Sequence, residues 1–283
     1  MRSEAEMMHL IMDVALKLGV KAIAMNGSKA NQQAPADEFQ DYDIVYFVDL
    51  KQMHQLIDSR EWLTAFGKQL IMQVPGDFEP EQITYQDFFT FLMLFADGNR
   101  IDLGLCPVNK VQAWQKNDPV GKVIYDPDNL LPTDLLADSR IYYQTKPTEL
   151  EFSNCCNEFW WVSTYVVKGI ARQELLYGTD HFYQNCFQEF LQMLSFRVAA
   201  ESDYQIDLGK NHKYLFKYLT TEEATSLQKL LNLSDYQKLT ENLFQMQTWF
   251  EQLATDFATK NNYRYDTVTS ARVMEYSRRK LGY

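Results

Sequence analysis

The stretch I-A-M-N-G-S-K-A-N at residues 23–31 is followed, after nine residues, by D-Y-D-I-V-Y-F-V at residues 41–48. Apolar and β-branched residues dominate both runs, which predicts two strands, over residues 21–26 and 41–48. Gly27-Ser28 interrupts the pattern, and we expect a turn there with a helix that begins at Ser28. The stretch therefore predicts a strand, a turn, a helix and a second strand in that order.

Two aspartates stand at the start of the second strand. Because side chains alternate across a strand, Asp41 and Asp43 project from one face while Tyr42 and Ile44 point to the other. Two like charges at this distance repel each other, and a cation between them would offset that repulsion. Oxygen ligands suit a hard ion such as Mg²⁺, which keeps further positions for water and phosphate. We therefore expect the two aspartates to hold magnesium.

Gly27-Ser28 is the candidate phosphate site. Glycine permits a close approach of the backbone, and the free N–H groups of a helix that begins at Ser28 would face a phosphate together with the serine hydroxyl. An isolated Gly-Ser is usually a turn, and an isolated D-x-D is usually a solvated strand edge. Their combination, in this order along the chain, is much more specific.

A third acid, Asp102, lies within N-R-I-D-L-G-L at residues 99–105. The apolar run 88–95 and the turn Asp97-Gly98 precede it, which predicts a hairpin with Asp102 on its return strand. An aspartate in an apolar strand is costly to bury without a partner, and a metal ion would be that partner.

The glycine-serine turn, the Asp41-x-Asp43 pair and Asp102 resemble the pattern of the DNA polymerase β-like nucleotidyltransferase superfamily. Longer blocks resemble the aminoglycoside 6-adenylyltransferases, which modify streptomycin. These blocks are N-G-S-K-A-N at 26–31, F-Q-D-Y-D at 39–43, C-C-N-E-F-W at 155–160, S-T-Y-V-V-K-G at 163–169 and L-G-K-N-H-K-Y at 208–214.

The resemblance implies transfer of AMP from Mg-ATP to a hydroxyl of an aminoglycoside such as streptomycin, with release of pyrophosphate. Gly27 and Ser28 would seat the terminal phosphates, and Asp41 and Asp43 would hold Mg²⁺. Asp102 would be either the third carboxylate, as ligand of a second metal, or the general base that takes the proton of the acceptor hydroxyl.

One residue departs from the pattern that the resemblance leads us to expect. Position 29 is lysine where arginine is expected in close relatives. A point charge does not replace a bidentate guanidinium, so we expect an effect on acceptor choice and turnover.

A long helix is predicted over residues 149–177, and its polar residues have two interpretations each. Lys168 and Arg172 share a face and could hold the triphosphate, although most helix charges are simply solvated. The resemblance selects Lys168 as the nucleotide-binding residue. Glu158 and Trp160 could line the acceptor pocket, or be a surface glutamate beside a core tryptophan, which is the commoner arrangement.

The composition narrows the class of protein. The formal charge of −11 and the pI of about 4.9 argue against nucleic acid as a partner, because an acidic surface repels phosphates. The acidity favours a polycationic acceptor, or it serves solubility alone.

The N-terminus is charged and the run 88–95 is too short to cross a membrane, so we expect a cytoplasmic protein with no membrane contact. The four cysteines show no C-x-x-C spacing and are expected to be buried, reduced thiols.

The pattern predicts an α+β protein with two domains. Residues 1–147 would form a nucleotidyltransferase domain, a mixed sheet flanked by helices. Residues 148–283 would form a helical bundle that binds the acceptor, and its first helix begins with a capping box, Thr148 with Glu151.

Three other functions fit the same residues. The enzyme would adenylylate a different acceptor, or the chain would be a nucleotide-binding module without turnover, or it would be an assembly protein that keeps the fold. Loss of one of the three acids would favour the last two, and none is lost.

Overall fold

A computed structural model describes residues 1–31, 33–78, 87–117, 121–133, 135 and 139–283. The chain divides into two compact units, Met1–Ile141 and Tyr142–Tyr283. We predicted the division after Pro147. The Gln144 N–H donates to the Ile206 carbonyl (3.0 Å) and the Tyr263 hydroxyl donates to the Pro147 carbonyl (2.7 Å), so the residues before the first helix of the second unit are attached to that unit.

The described part of the first unit contains a six-stranded sheet of order β3-β4-β5-β2-β1-β6. β2 and β5 pair in parallel, and the other neighbours pair antiparallel, so the sheet is mixed as predicted. The strands are β1 (Ala22–Asn26), β2 (Tyr42–Val48), β3 (Gln69–Gln73), β4 (Phe89–Phe95), β5 (Arg100–Pro107) and β6 (Lys122–Tyr125). β4 and β5 form the predicted hairpin, and Asp102 lies on its return strand.

Helices cover both faces of the sheet. One face packs its apolar side chains on α1 and α3, and the other packs Val45 and Phe47 on Trp114 of α4, whose ring centroid lies 5.0 Å from that of Phe47. The helices are α1 (Glu4–Leu18), α2 (Gly27–Ala30), α3 (Leu50–Asp58) and α4 (Val111–Asn117). A capping box of Ser3 and Glu6 begins α1. The face that carries α4 also carries the acids.

The second unit is helical. Its core consists of aromatic and aliphatic side chains, including the stacked rings of Phe159 and Phe250. The helices are α5 (Glu149–Ala171), α6 (Leu175–His181), α7 (Phe187–Ala200), α8 (Thr221–Leu230), α9 (Tyr236–Asn261) and α10 (Thr267–Leu281). The capping box of Thr148 and Glu151 that we predicted begins α5. The predicted α+β architecture is confirmed.

The single helix predicted over 149–177 is wrong. α5 ends at Ala171, and the chain turns at Gln173, whose φ is +57°. Gly169 of α5 then packs against Gly178 of α6 so closely that a Cβ on Gly169 would lie 2.6 Å from the Gly178 Cα. No proline marks this break, and the two glycines permit the close approach of α5 and α6 that accompanies it.

The four cysteines are buried and free, as predicted. Among the described residues, no helix has both the length and the apolar character needed to cross a bilayer.

Candidate active site

Strand register brings the acids together. Parallel pairing of β2 with β5 sets Asp43 opposite Asp102, and antiparallel pairing of β1 with β2 sets Asn26 opposite Asp43. Residues in register project from the same face of a sheet, and Asp41 lies on that face because it is two residues from Asp43. Carboxylate oxygens of Asp41, Asp43 and Asp102 lie within 4.8 Å of one another. We call these three residues the acid cluster.

The acid cluster is partly accessible. The side chains of Asp41 and Asp102 are 29% and 18% exposed. Tyr42 and Ile44, on the opposite face, are buried in the core, as the alternation predicted. The carboxylates can therefore reach a ligand without the full cost of burying a charge.

Gly27 directly follows β1 and lies against Asp43. Its φ is +67°, and a Cβ built on it would overlap the carboxylate of Asp43. Only glycine fits this position, because the backbone is left-handed and the aspartate is in contact. The short helix α2 begins at Gly27, one residue before the predicted start, and Ser28 lies half-buried within it. Gly27 and the acid cluster are thus neighbours, as the motif order predicted.

Arg100, which we did not predict from the sequence, contacts the acid cluster. Its Nε and Nη2 donate to the two carboxylate oxygens of Asp102 at 2.8 and 2.7 Å, and its Nε lies 3.6 Å from Asp41 Oδ2. The hydrogen bonds to Asp102, followed by the charges of Asp102, Asp41 and Asp43, raise the pKa of Arg100. Alternation would have found this residue, since Arg100 and Asp102 are two apart on one strand.

The donor set fits a hard divalent cation. Three carboxylates and one guanidinium leave a formal charge of −2, and all three anionic groups offer oxygen atoms. Magnesium and similar ions prefer such ligands. Asp41, Asp43 and Asp102 are the residues that would hold it.

Lys29 and Lys168, the two lysines singled out in the sequence, each lie near aromatic rings. Lys29 Nζ is 4.6 Å from the ring centroid of Tyr42 and 3.9 Å from Glu4 Oε2. Lys168 belongs to the second unit, where its Nζ lies 5.6 Å from the ring centroid of Tyr177 and 6.0 Å from that of Tyr165. The role of Lys168 in binding nucleotide stays a prediction.

The second unit contains an acidic cavity of about 570 Å³. None of the described residues that line it is lysine or arginine; they are Gln144, Thr145, Pro147, Glu151, Asn154, Cys155, Asn157, Glu158, Glu189, Gln192 and Phe196. Burial, together with the charge of Glu158, raises the pKa of Glu189. Glu158 thus lines a cavity. Trp160 does not, because it is buried in the core and its Nε1 donates to the Tyr265 hydroxyl at 3.0 Å.

A glycine turn beside three convergent carboxylates on a mixed sheet is the arrangement that the sequence analysis related to nucleotidyltransferases. A family model described as streptomycin adenylyltransferase matches residues 1–280. The chain belongs to the streptomycin adenylyltransferase family. This membership confirms the predicted family and the prediction that the protein is an enzyme.

Two relatives in sequence agree with this assignment. The chain is 36% identical over 267 residues to an aminoglycoside 6-adenylyltransferase of Bacillus subtilis (strain 168), covering 94% of this chain and 93% of the relative. It is 34% identical over 269 residues to an aminoglycoside 6-adenylyltransferase of Staphylococcus aureus, covering 94% of each. A crystal structure of a Bacillus subtilis aminoglycoside 6-adenyltransferase matches with 31% identity, 99% coverage of both chains and a TM-score of 0.49.

Proposed function

We propose that this protein transfers AMP from Mg-ATP to a hydroxyl of streptomycin or a related aminoglycoside and releases pyrophosphate. The observation that carries the proposal is the convergence of Asp41, Asp43 and Asp102 beside Gly27, in a chain of the streptomycin adenylyltransferase family. The reaction belongs in the cytoplasm, where ATP and magnesium are available.

The reaction forms one bond and breaks one. The acceptor oxygen bonds to the α-phosphorus of ATP, the bond from that phosphorus to the bridging oxygen of pyrophosphate breaks, and the hydroxyl loses its proton. Asp41 and Asp43 would hold Mg²⁺, which would supply positive charge to offset the negative charge that develops on the phosphate oxygens. The backbone at Gly27 and the Ser28 hydroxyl seat the terminal phosphates, and Lys168 adds a positive charge for them.

Asp102 has one of two roles in this reaction. It completes the metal ligands, or it accepts the proton of the acceptor hydroxyl. Its position in register with Asp43 suits a ligand, and its partial exposure suits a base. Measuring metal affinity separates the two roles.

The acidic cavity of the second unit is our candidate site for the polycationic acceptor. Glu158 and Glu189 offer carboxylates to ammonium or guanidinium groups, and the amides of Asn154 and Asn157 offer hydrogen bonds to hydroxyls. The cavity volume lies within the range of small-molecule sites.

The test is an assay of the purified full chain with Mg-ATP and a panel of aminoglycosides. We expect pyrophosphate release that depends on streptomycin, and a product that carries one AMP by mass spectrometry. Asp41→Asn should keep the thermal unfolding temperature and lose turnover by at least about a hundredfold. Asp49→Asn is the matched control, because Asp49 pairs with Lys21 at 2.7 Å in the same unit.

Two outcomes would count against the proposal. ATP binding without pyrophosphate release for any acceptor would indicate a nucleotide-binding module. Release with another acceptor, and none with streptomycin, would keep the adenylyltransferase and replace its substrate.

A further inference from the structure

Arg100 is in direct contact with two members of the acid cluster. Its guanidinium forms a fork with both oxygens of Asp102 and lies 3.6 Å from Asp41. Arg100 lies on β5 two residues before Asp102, so both side chains project from the face that carries the acids. The side chain is 48% exposed, and it therefore has room to move away.

The three carboxylates repel one another, and Arg100 is the counter-ion that offsets this repulsion. Arginine suits the task because its planar fork fixes a carboxylate by two parallel hydrogen bonds. A divalent cation would need oxygens of the same side chains. The cation and the guanidinium therefore compete, since two positive charges a few ångström apart repel.

We propose that Arg100 is a positioning residue that holds Asp102 and Asp41 in place and is exchanged for the divalent cation when the site is loaded. Binding of the cation would separate the guanidinium from Asp41 and open its fork on Asp102. This inference rests on the proposed metal site and adds to it a residue that sets the metal affinity.

The experiment measures Mn²⁺ binding to the full-length protein by titration calorimetry, because Mn²⁺ takes the same oxygen ligands as Mg²⁺. Arg100→Gln removes the charge, and we expect Mn²⁺ to bind about tenfold tighter than to the wild type. Arg100→Lys keeps the charge without the fork, so its Mn²⁺ affinity should stay close to that of the wild type.

Thermal unfolding gives a second measurement that does not depend on activity. Without metal, Arg100→Gln should lower the unfolding temperature by about 2–4 °C, because the carboxylates lose their counter-ion. With saturating Mn²⁺ this difference should disappear, since the metal then takes that place.

Arg60→Gln is the matched control. Arg60 makes the same kind of fork with Asp77, at 2.6 and 2.7 Å, in the same unit and outside the acid cluster. Its loss should leave Mn²⁺ affinity unchanged and lower the unfolding temperature equally with and without Mn²⁺.

Two results would overturn the proposal, and they are distinguishable. If the wild type binds Mn²⁺ but Arg100→Gln binds it no tighter, or if the loss of stability persists in Mn²⁺, Arg100 has only a structural role and the metal site stands. If the wild type shows no saturable Mn²⁺ binding, the metal site itself is refuted, and the exchange with it.

Discussion

Gly27 and Asp43 lie in such close contact that any β-carbon at position 27 would occupy the space of the Asp43 carboxylate. The two residues come from different elements: Gly27 is the first residue of α2, and Asp43 lies on β2. Their contact couples the candidate phosphate site to the acid cluster. A substitution at the glycine therefore acts on the acid cluster as well as on the start of α2.

Gly27→Ala should reduce turnover by at least about a hundredfold, because the methyl group would displace the Asp43 carboxylate from the proposed metal site. It should also cost about 1 kcal/mol of stability, because alanine is strained at a φ of +67°. Steady-state kinetics and urea unfolding measure the two effects.

Gly19→Ala is the control for this prediction. Gly19 has a similar φ of +73°, and among the described residues a Cβ there would approach Gln52 Nε2 at an ordinary 3.9 Å. It should lose similar stability and keep its activity. Equal loss of activity in the two variants would show that backbone strain, and not the contact with Asp43, is responsible.

Asp102→Asn should weaken Mn²⁺ binding by about tenfold and lower turnover, because one of three clustered carboxylates is neutralised without change of shape. Calorimetry with Mn²⁺ measures the affinity. Asp49→Asn, whose carboxylate pairs with Lys21, should leave it unchanged. Lost turnover with undiminished Mn²⁺ affinity would instead identify Asp102 as the general base.

If the acceptor binds as proposed, Glu158→Gln and Glu189→Gln should each raise the KM for streptomycin by about tenfold and change kcat little, because each removes a charge that would pair with the acceptor. Glu241→Gln is the control, since Glu241 pairs with Lys238 elsewhere in the second unit.

Because burial raises the pKa of Glu189, the affinity for the acceptor should fall with decreasing pH before exposed carboxylates are protonated. An unchanged KM in both variants would exclude the cavity as the acceptor site.

Asp97 should make the first unit sensitive to acid. Hydrogen bonds from the Arg2 side chain, at 2.7 Å from Nε and 3.3 Å from Nη2, and from Asn99 hold the pKa of Asp97 well below its ordinary value. A depressed pKa in the folded state adds stability above the unfolded pKa of about 4, and this stability is lost as the pH falls below it.

Asp97→Asn should therefore cost about 1 kcal/mol at pH 7, and the difference from the wild type should shrink below about pH 4. Urea unfolding between pH 7 and pH 3 measures it. Arg2→Ala should remove most of the same increment, so the double variant should lose less than the sum of the two. A difference that does not change with pH would refute the charge interaction.

The sequence by itself determined the local features of this protein. Alternation placed Asp41 and Asp43 on one face, the capping box at Thr148 marked where a helix begins, and the turn at Asp97-Gly98 predicted the hairpin that carries Asp102. These features depend on residues close together in the chain, so pattern and spacing suffice to predict them.

Only the tertiary structure decided which distant residues meet. The parallel register of β2 and β5 set Asp43 opposite Asp102 and brought the guanidinium of Arg100 to Asp41. Packing between helices ended α5 near Gly169, and the fold of the bundle brought Glu189 to the same cavity as Glu158. Strand register and helix packing follow from the burial of the whole core, which no local stretch of sequence contains.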